Sequence, residues 1–241
     1  MALVRWLRTR PSFYAAYRRA GDALGPVPLR VHGGPLAGKT LAVRVSLARS
    51  PYADGNYETA TARALCDLAR SVIVDFDIGA HFGYFTLLLA DRVARVYAFE
   101  PTPANFRALT RTLTINQVNN VETCPSAVSA CDGPAVLEVT DASSMCRLRG
   151  NACPDEEKER VMRTLDVQTV SLDSFVRTAE VARLDLVKID VEGEELRVLL
   201  GMQEVVRRWR PTILVEVHTH LSNAEDPRQV LHLLARWGYT C

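Results

Sequence analysis

Asp77, Gly79, Gly83, Glu100, Asp190 and His218 are the residues whose types and spacing in this chain fit chemistry. The run Asp77-Ile78-Gly79-Ala80-His81-Phe82-Gly83 places an acid and two glycines directly after an apolar stretch. Glycines let a backbone approach a ligand closely, and the N–H groups of a following helix start favour negative charge. The dinucleotide fingerprint G-x-G-x-x-G lacks its middle glycine here. An acid at the head of the loop repels a pyrophosphate but suits a cationic amino group. The turn therefore reads as a cofactor pocket, with Asp77, Gly79, Ala80, His81 and Gly83 as candidate contacts. Glu100 closes the next apolar run, Arg95 to Pro101, about 20 residues past the turn, where doubly wound folds hydrogen-bond ribose hydroxyls.

These residues need strands and helices to bring them together. Residues 72–78 read as a buried strand, followed by a buried helix from Tyr84 through Leu87-Leu88-Leu89. Pro103 starts a helix with Phe106, Leu109 and Leu113 on one face. Val121–Pro125, Leu184–Asp190 and Thr212–Val217 read as further strands, with a single helix over Glu194–Trp209 that buries Leu196, Leu199, Leu200 and Trp209. Glu58–Arg70 fits a helix ahead of the first of these strands. The expected fold is an α/β, Rossmann-like doubly wound, mostly parallel sheet. In such sheets ligands bind outside the carboxyl ends of the strands, so Asp77, Glu100 and Asp190 are expected to converge on one crevice.

The segments DIGAHFGYFT, VYAFEPTPANF, NNVETCPSAVS, VSLDSF, LVKIDVEGEE and RPTILVEVH together resemble the FkbM-like family of S-adenosylmethionine-dependent methyltransferases over roughly residues 55–241. KIDVEGEE is the most specific piece. The resemblance implies the class I methyltransferase type of sheet, S-adenosyl-L-methionine as cofactor, adenine contacts at Ser126 and Ala127, and a role for Glu58 from the Tyr57-Glu58 pair. It also implies O-methylation of a hydroxyl on a sugar or natural-product small molecule. The chain departs from the family at His81, where Asn is usual, at Asp75 inside the first strand, and at Glu194.

His218 emerges next to Asp190 after the last strand, and imidazole is well matched to proton transfer near neutral pH. The expectation is His218 as general base and Asp190 as the residue that orients the cofactor's methionine portion or the acceptor. A divalent ion on Asp190, Glu216 and His218 is the competing arrangement, and the metal-free one is preferred. Two other function classes share the pattern. A nicotinamide-dependent oxidoreductase would need the missing glycine, and a non-catalytic methyltransferase-fold binding protein would be expected to have lost its strand-end acids.

Composition bounds the rest. In 241 residues, 29 Lys and Arg balance 28 Asp and Glu for a net charge of +1, which excludes a strongly basic nucleic-acid binder. No apolar run spans a membrane, no secretory signal is evident, and six cysteines without C-x-x-C spacing read as reduced thiols, so a cytoplasmic enzyme is expected. The chain divides into residues 1–50, a basic helical arm and a β-hairpin through His32-Gly33-Gly34-Pro35, and residues 51–241, the catalytic domain. Residues 140–164 are polar and read as a lid or binding loop. The sheet is expected to lack its last strand, leaving an edge open or covered by the hairpin or by a second subunit of a homo-oligomer.

Overall fold

A computed structural model of the chain describes residues 25–44, 47, 51–139, 146–148, 161, 163–218 and 227–240. The N-terminal arm and most of the 140–164 segment lie outside the described residues. Five parallel strands form the central sheet: β3 (Val74–Ile78), β4 (Arg95–Phe99), β5 (Val121–Cys124), β10 (Leu186–Ile189) and β11 (Thr212–Val215). Their spatial order is β11-β10-β3-β4-β5, so the chain reverses its direction of travel across the sheet between β3 and β10. That switch point leaves a crevice beyond the carboxyl ends of the strands.

The period of two along β3 sorts its side chains. Phe76 and Ile78 join one core with Phe99, Val187 and Ile189, beneath α5 (Leu172–Thr178), α6 (Glu195–Leu200), α7 (Gln203–Trp209) and α8 (Pro227–Arg236). Asp75 and Asp77 point to the opposite face, where α3 (Tyr84–Ala90) buries Leu87, Leu88 and Leu89 against α2 (Thr59–Leu68) and the hairpin. α4 (Pro103–Ile115) runs between β4 and β5.

The hairpin strands β1 (Val27–Arg30) and β2 (Thr40–Val43) pair antiparallel, as expected. They do not cover the β11 edge. Ala42 N donates to Thr112 Oγ1 at 2.9 Å and Asn116 Oδ1 accepts from Thr40 N at 3.1 Å, so the hairpin sits on α4. Among the described residues no strand follows β11.

Two elements depart from expectation. The helix expected over Glu194–Trp209 is broken into α6 and α7 at Gly201-Met202. A Cβ at Gly201 would stand 2.3 Å from Ser129 O, and Gly201 O instead accepts from Asp173 N. Leu200, expected in the core, is exposed as a result of that break. The second departure is a four-stranded sheet with order β6-β9-β7-β8, formed by β6 (Ala127–Val128), β7 (Gly133–Val139), β8 (Cys146–Leu148) and β9 (Arg163–Val170). Ala127, Leu137, Leu148 and Val167 make its small core. The alternation Ala135, Leu137, Val139 was visible in the sequence, and so was Leu165, Val167. What was not visible is that β7 and β9 pair across the intervening segment.

Candidate active site

The turn after β3 is held by its own sheet. Gly79 N and Ala80 N both donate to Phe99 O, at 3.1 and 2.9 Å, and His81 N donates to Glu100 Oε2 at 2.9 Å. The turn's N–H groups, expected to face a ligand, are therefore already engaged by β4. A Cβ at Gly79 would lie 1.8 Å from Asp190 O, so the glycine also lets the ends of β3 and β10 come together. His81 adopts a left-handed backbone, φ 53°, a region in which Asn, Asp and His are enriched. This explains how His stands where Asn is usual. Burial lowers the His81 imidazole to about 4, so it is neutral at pH 7.

Gly79, Ala80, His81, Glu100, Ser126 and Ala127 line one cavity of about 360 Å³ together with Glu58, Asp190 and His218. Two expected contacts lie off it. Gly83 is the left-handed cap of α3, φ 90°, and a Cβ there would meet Leu109 Cδ1 at 2.7 Å; its place is set by α4. Asp77 is fully buried, accepts from Thr86 Oγ1 at 2.6 Å, and pairs with Lys188 Nζ at 3.2 Å. Its carboxylate cannot reach a cofactor amino group from there. Asp190 and Glu100 do converge on the crevice, and Asp77 stands behind it.

Glu100 is almost fully buried. Its Oε1 accepts from Thr102 N at 2.8 Å and from Asn105 Nδ2 at 3.4 Å, and its Oε2 from His81 N at 2.9 Å, which leaves a lone pair on Oε2 for a hydroxyl of a ligand. Burial pushes its carboxyl up to about 7, against the lowering effect of the Thr102 and His81 bonds.

At the other end of the cavity His218 is ringed by acids. Its Nδ1 lies 2.7 Å from Glu195 Oε1, and its Nε2 lies 3.5 Å from Glu192 Oε2 and 3.8 Å from both Asp190 Oδ1 and Glu216 Oε1. Burial opposes the charged ring, but Glu195, Glu192 and Asp190 outweigh it and lift His218 to about 9. A ring held as imidazolium at pH 7 has no lone pair for a substrate proton, which weighs against the expected general-base role of His218. Glu192 is the alternative acceptor. Burial, with the neighbouring Asp190, Glu195 and Glu216, pushes it up to about 7 despite His218, and its Oε2 is buried with no hydrogen-bond partner on the cavity wall. Its left-handed backbone, φ 51°, is the kind of strain that gathers at functional sites.

Lys188, one residue of the KIDVEGEE run, is buried between Asp77 and Asp190, with Nζ 3.5 Å from Asp190 Oδ2 and 5.2 Å from the centroid of the Phe85 ring. Burial alone would discharge it, but Asp77 and Asp190 keep it cationic. Tyr52, Tyr57, Tyr84 and Phe85 form an aromatic wall beside Glu58, with the Tyr52 and Tyr57 rings 4.1 Å apart. Glu58 Oε2 is a second buried oxygen without a partner, and burial raises this carboxyl above its ordinary value. Leu137, Cys146 and Leu148 of the second sheet supply an apolar side, and burial takes the Cys146 thiol up to about 11, far from a nucleophile. From the sequence, Lys188, Glu195 and the tyrosines do not stand out as site residues, and for Glu192 a helix-end role and a functional one are evenly balanced. Tyr57 and the acids were visible in the motif runs, but which of them face inward was not.

Asp190, Glu192 and His218 bring one possible ligand atom each within 4.8 Å of the others. The imidazolium already places a positive charge among these carboxylates, and a cation at that point would first have to expel its proton. The cavity as a whole is better fitted to a ligand with a hydroxyl donor at Glu100 and positive charge near the unpartnered Oε2 of Glu58.

A parallel sheet with its crevice at the switch point, an acid for hydroxyls and an acidic, aromatic far end define a methyltransferase-type α/β protein. The family model described as "Methyltransferase FkbM domain" matches residues 77–241. The chain belongs to the FkbM methyltransferase family. It is 29% identical over 175 residues to the hexuronic acid methyltransferase AglP of Haloferax volcanii, covering 72% of this chain and 66% of that protein. It is 28% identical over 172 residues to methyltransferase sdnD of Sordaria araneosa, covering 56% and 66%. It is 29% identical over 173 residues to the 31-O-demethyl-FK506 methyltransferase FkbM of Streptomyces tacrolimicus, covering 60% and 65%. The chain thus spans just under two thirds of the length of these relatives. No helix among the described residues is long and apolar enough to cross a membrane.

Proposed function

We propose that this protein transfers a methyl group from S-adenosyl-L-methionine to a hydroxyl of a sugar or natural-product small molecule. The observation that carries the reading is one cavity with Glu100 at one end and the Asp190, Glu192 and His218 cluster at the other, on an FkbM-family chain. Glu100 would hold the ribose, Ser126 and Ala127 the adenine, and Asp190 with Glu58, whose Oε2 has no partner, the positively charged methionine portion. The cofactor, when bound, supplies an activated methyl on a sulfonium. The protein's remaining tasks are to align the acceptor oxygen with that methyl and relieve it of its proton.

For the proton, Glu192 Oε2 is the acceptor, and the His218 imidazolium steadies the charge that Asp190, Glu192 and Glu216 share. Such a centre needs no metal. The relatives named for hexuronic acid and FK506 methylation support a polyhydroxylated acceptor.

Calorimetry with S-adenosylhomocysteine and NAD in parallel, followed by an acceptor screen with radiolabelled methyl donor with and without EDTA, tests the reading. Binding of S-adenosylhomocysteine and EDTA-resistant methylation are expected. Binding of NAD instead would replace the function with an oxidoreductase, and loss of methylation in EDTA would overturn the metal-free centre.

A further inference from the structure

Glu195 stands in the first turn of α6, where an acid is usually read as favourable to the helix dipole. A residue that served only the dipole would have no reason to leave solvent, yet Glu195 is 2% exposed. Its neighbour Glu194 also turns inward, where its Oε2 accepts from Ser129 Oγ at 2.9 Å and lies 3.4 Å from Arg197 Nε. Glu195 Oε1 is shared by two partners from different elements. It accepts from Gly193 N at 3.0 Å and lies 2.7 Å from His218 Nδ1.

One oxygen therefore ties the turn after β10, which carries Asp190 and Glu192, to the exit of β11, which carries Glu216 and His218. That turn has two consecutive left-handed residues, Glu192 at φ 51° and Gly193 at φ 100°, and the Gly193 bond to Glu195 helps to hold it. With Nδ1 engaged, the opposite edge of the ring can face only the cavity. The groups around the ring are Glu195 from α6, Asp190 and Glu192 from the turn, and Glu216 from the strand end.

We propose that Glu195 is the positioning residue of this centre: it holds the Nδ1–H of His218 and so turns Nε2–H towards Asp190, Glu192 and Glu216. The role deepens the methyl-transfer reading and rests on it for its catalytic meaning, since Glu195 touches no reacting atom. Its oxygen fixes where the ring stands, and the ring fixes how closely the three carboxylates can gather.

The test uses the full chain with ¹⁵N-labelled histidine, in wild type, Glu195→Gln and Glu195→Leu. Wild type is expected to show a far-downfield, slowly exchanging Nδ1 proton that disappears in His218→Gln, which assigns it. Glu195→Gln keeps an acceptor but loses the charge, so the signal should persist, shifted upfield, while the His218 titration falls by about one pH unit or more. Glu195→Leu should lose the signal. A persistent Nδ1 signal in Glu195→Leu, or an unmoved titration in Glu195→Gln, overturns the proposal, and Glu195→Gln decides alone if Glu195→Leu does not fold. Failure of wild type to bind S-adenosylhomocysteine would remove the methyl-transfer reading while leaving the spectroscopic answer on Glu195 intact.

Discussion

Glu100 and Glu192 are buried acids at opposite ends of one cavity, and burial gives both the same direction of shift with different consequences. Glu100 rises from 4.5 to about 7, so the folded protein keeps this proton where the unfolded chain has released it. Its contribution to stability therefore falls as pH rises between those values and is level above them. Ribose hydroxyls need the ionised form, so S-adenosylhomocysteine should bind more tightly as pH rises through about 7, and Glu100→Gln should flatten that profile. One charge-assisted bond worth roughly 1.5–3 kcal/mol means that Glu100→Ala should weaken cofactor binding about tenfold or more in a folded protein. Unchanged affinity by calorimetry would remove Glu100 from the cofactor. For Glu192 the expected readout is turnover. General-base catalysis contributes on the order of 10²–10⁴-fold, so Glu192→Gln should lose about that much with cofactor affinity nearly intact. The kcat/KM profile should rise through about 7 as Glu192 ionises and fall above about 9 as His218 loses its charge. A profile with only the lower limb would dissociate His218 from the reaction. The sequence pointed to His218 by its chemistry and its place beside Asp190. It could not show four carboxylates arriving around the ring from three elements, and that crowd favours the cationic ring.

At the scale of elements, the strand-turn-helix unit was legible because its signals are local: apolar residues at β3, glycines at the turn, and α3 burying every residue from Tyr84 to Leu89. The reason for each glycine was not local. Gly79 is demanded by the Asp190 carbonyl of a neighbouring strand, and Gly83 by Leu109 on α4. Gly79→Ala would force β3 and β10 apart at a left-handed position, φ 84°. It should cost about 1–3 kcal/mol, the usual range for overpacking, and weaken cofactor binding because Asp190 moves with the strand end. Urea unfolding with calorimetry reads both, and a variant with wild-type midpoint and affinity would show that the turn has slack. The broken helix at Gly201 follows the same logic, since a helical period continues through residues 194–209 in sequence but the approach of Ser129 interrupts it in space.

For the whole molecule, the costliest residue is one that the site does not use. Asp75 is fully buried in the central strand with no partner for either oxygen, and burial, followed by repulsion from Asp77, holds its carboxyl well above the ordinary 3.8. The folded state keeps this proton after the unfolded chain has lost it, so stability declines as pH rises above about 4. Asp75→Ala should be more stable than wild type by about 1–3 kcal/mol, the cost of a buried unsatisfied group, less whatever the small cavity takes back. The gain should grow from acid to neutral pH in urea unfolding; a variant less stable at neutral pH would show that Asp75 supports Lys188. The order of strands and helices, the parallel sheet and the family were determined by the sequence, because apolar period, turn residues and motif runs are properties of neighbouring residues. Tertiary structure alone decided that Asp77 pairs with Lys188 behind the cavity, that the hairpin lies on α4, that β6, β7, β8 and β9 build a second sheet, and that four carboxylates gather around His218. Each of these depends on atoms far apart in the chain meeting in a place without water, where burial and the nearest charge set what a side chain can do.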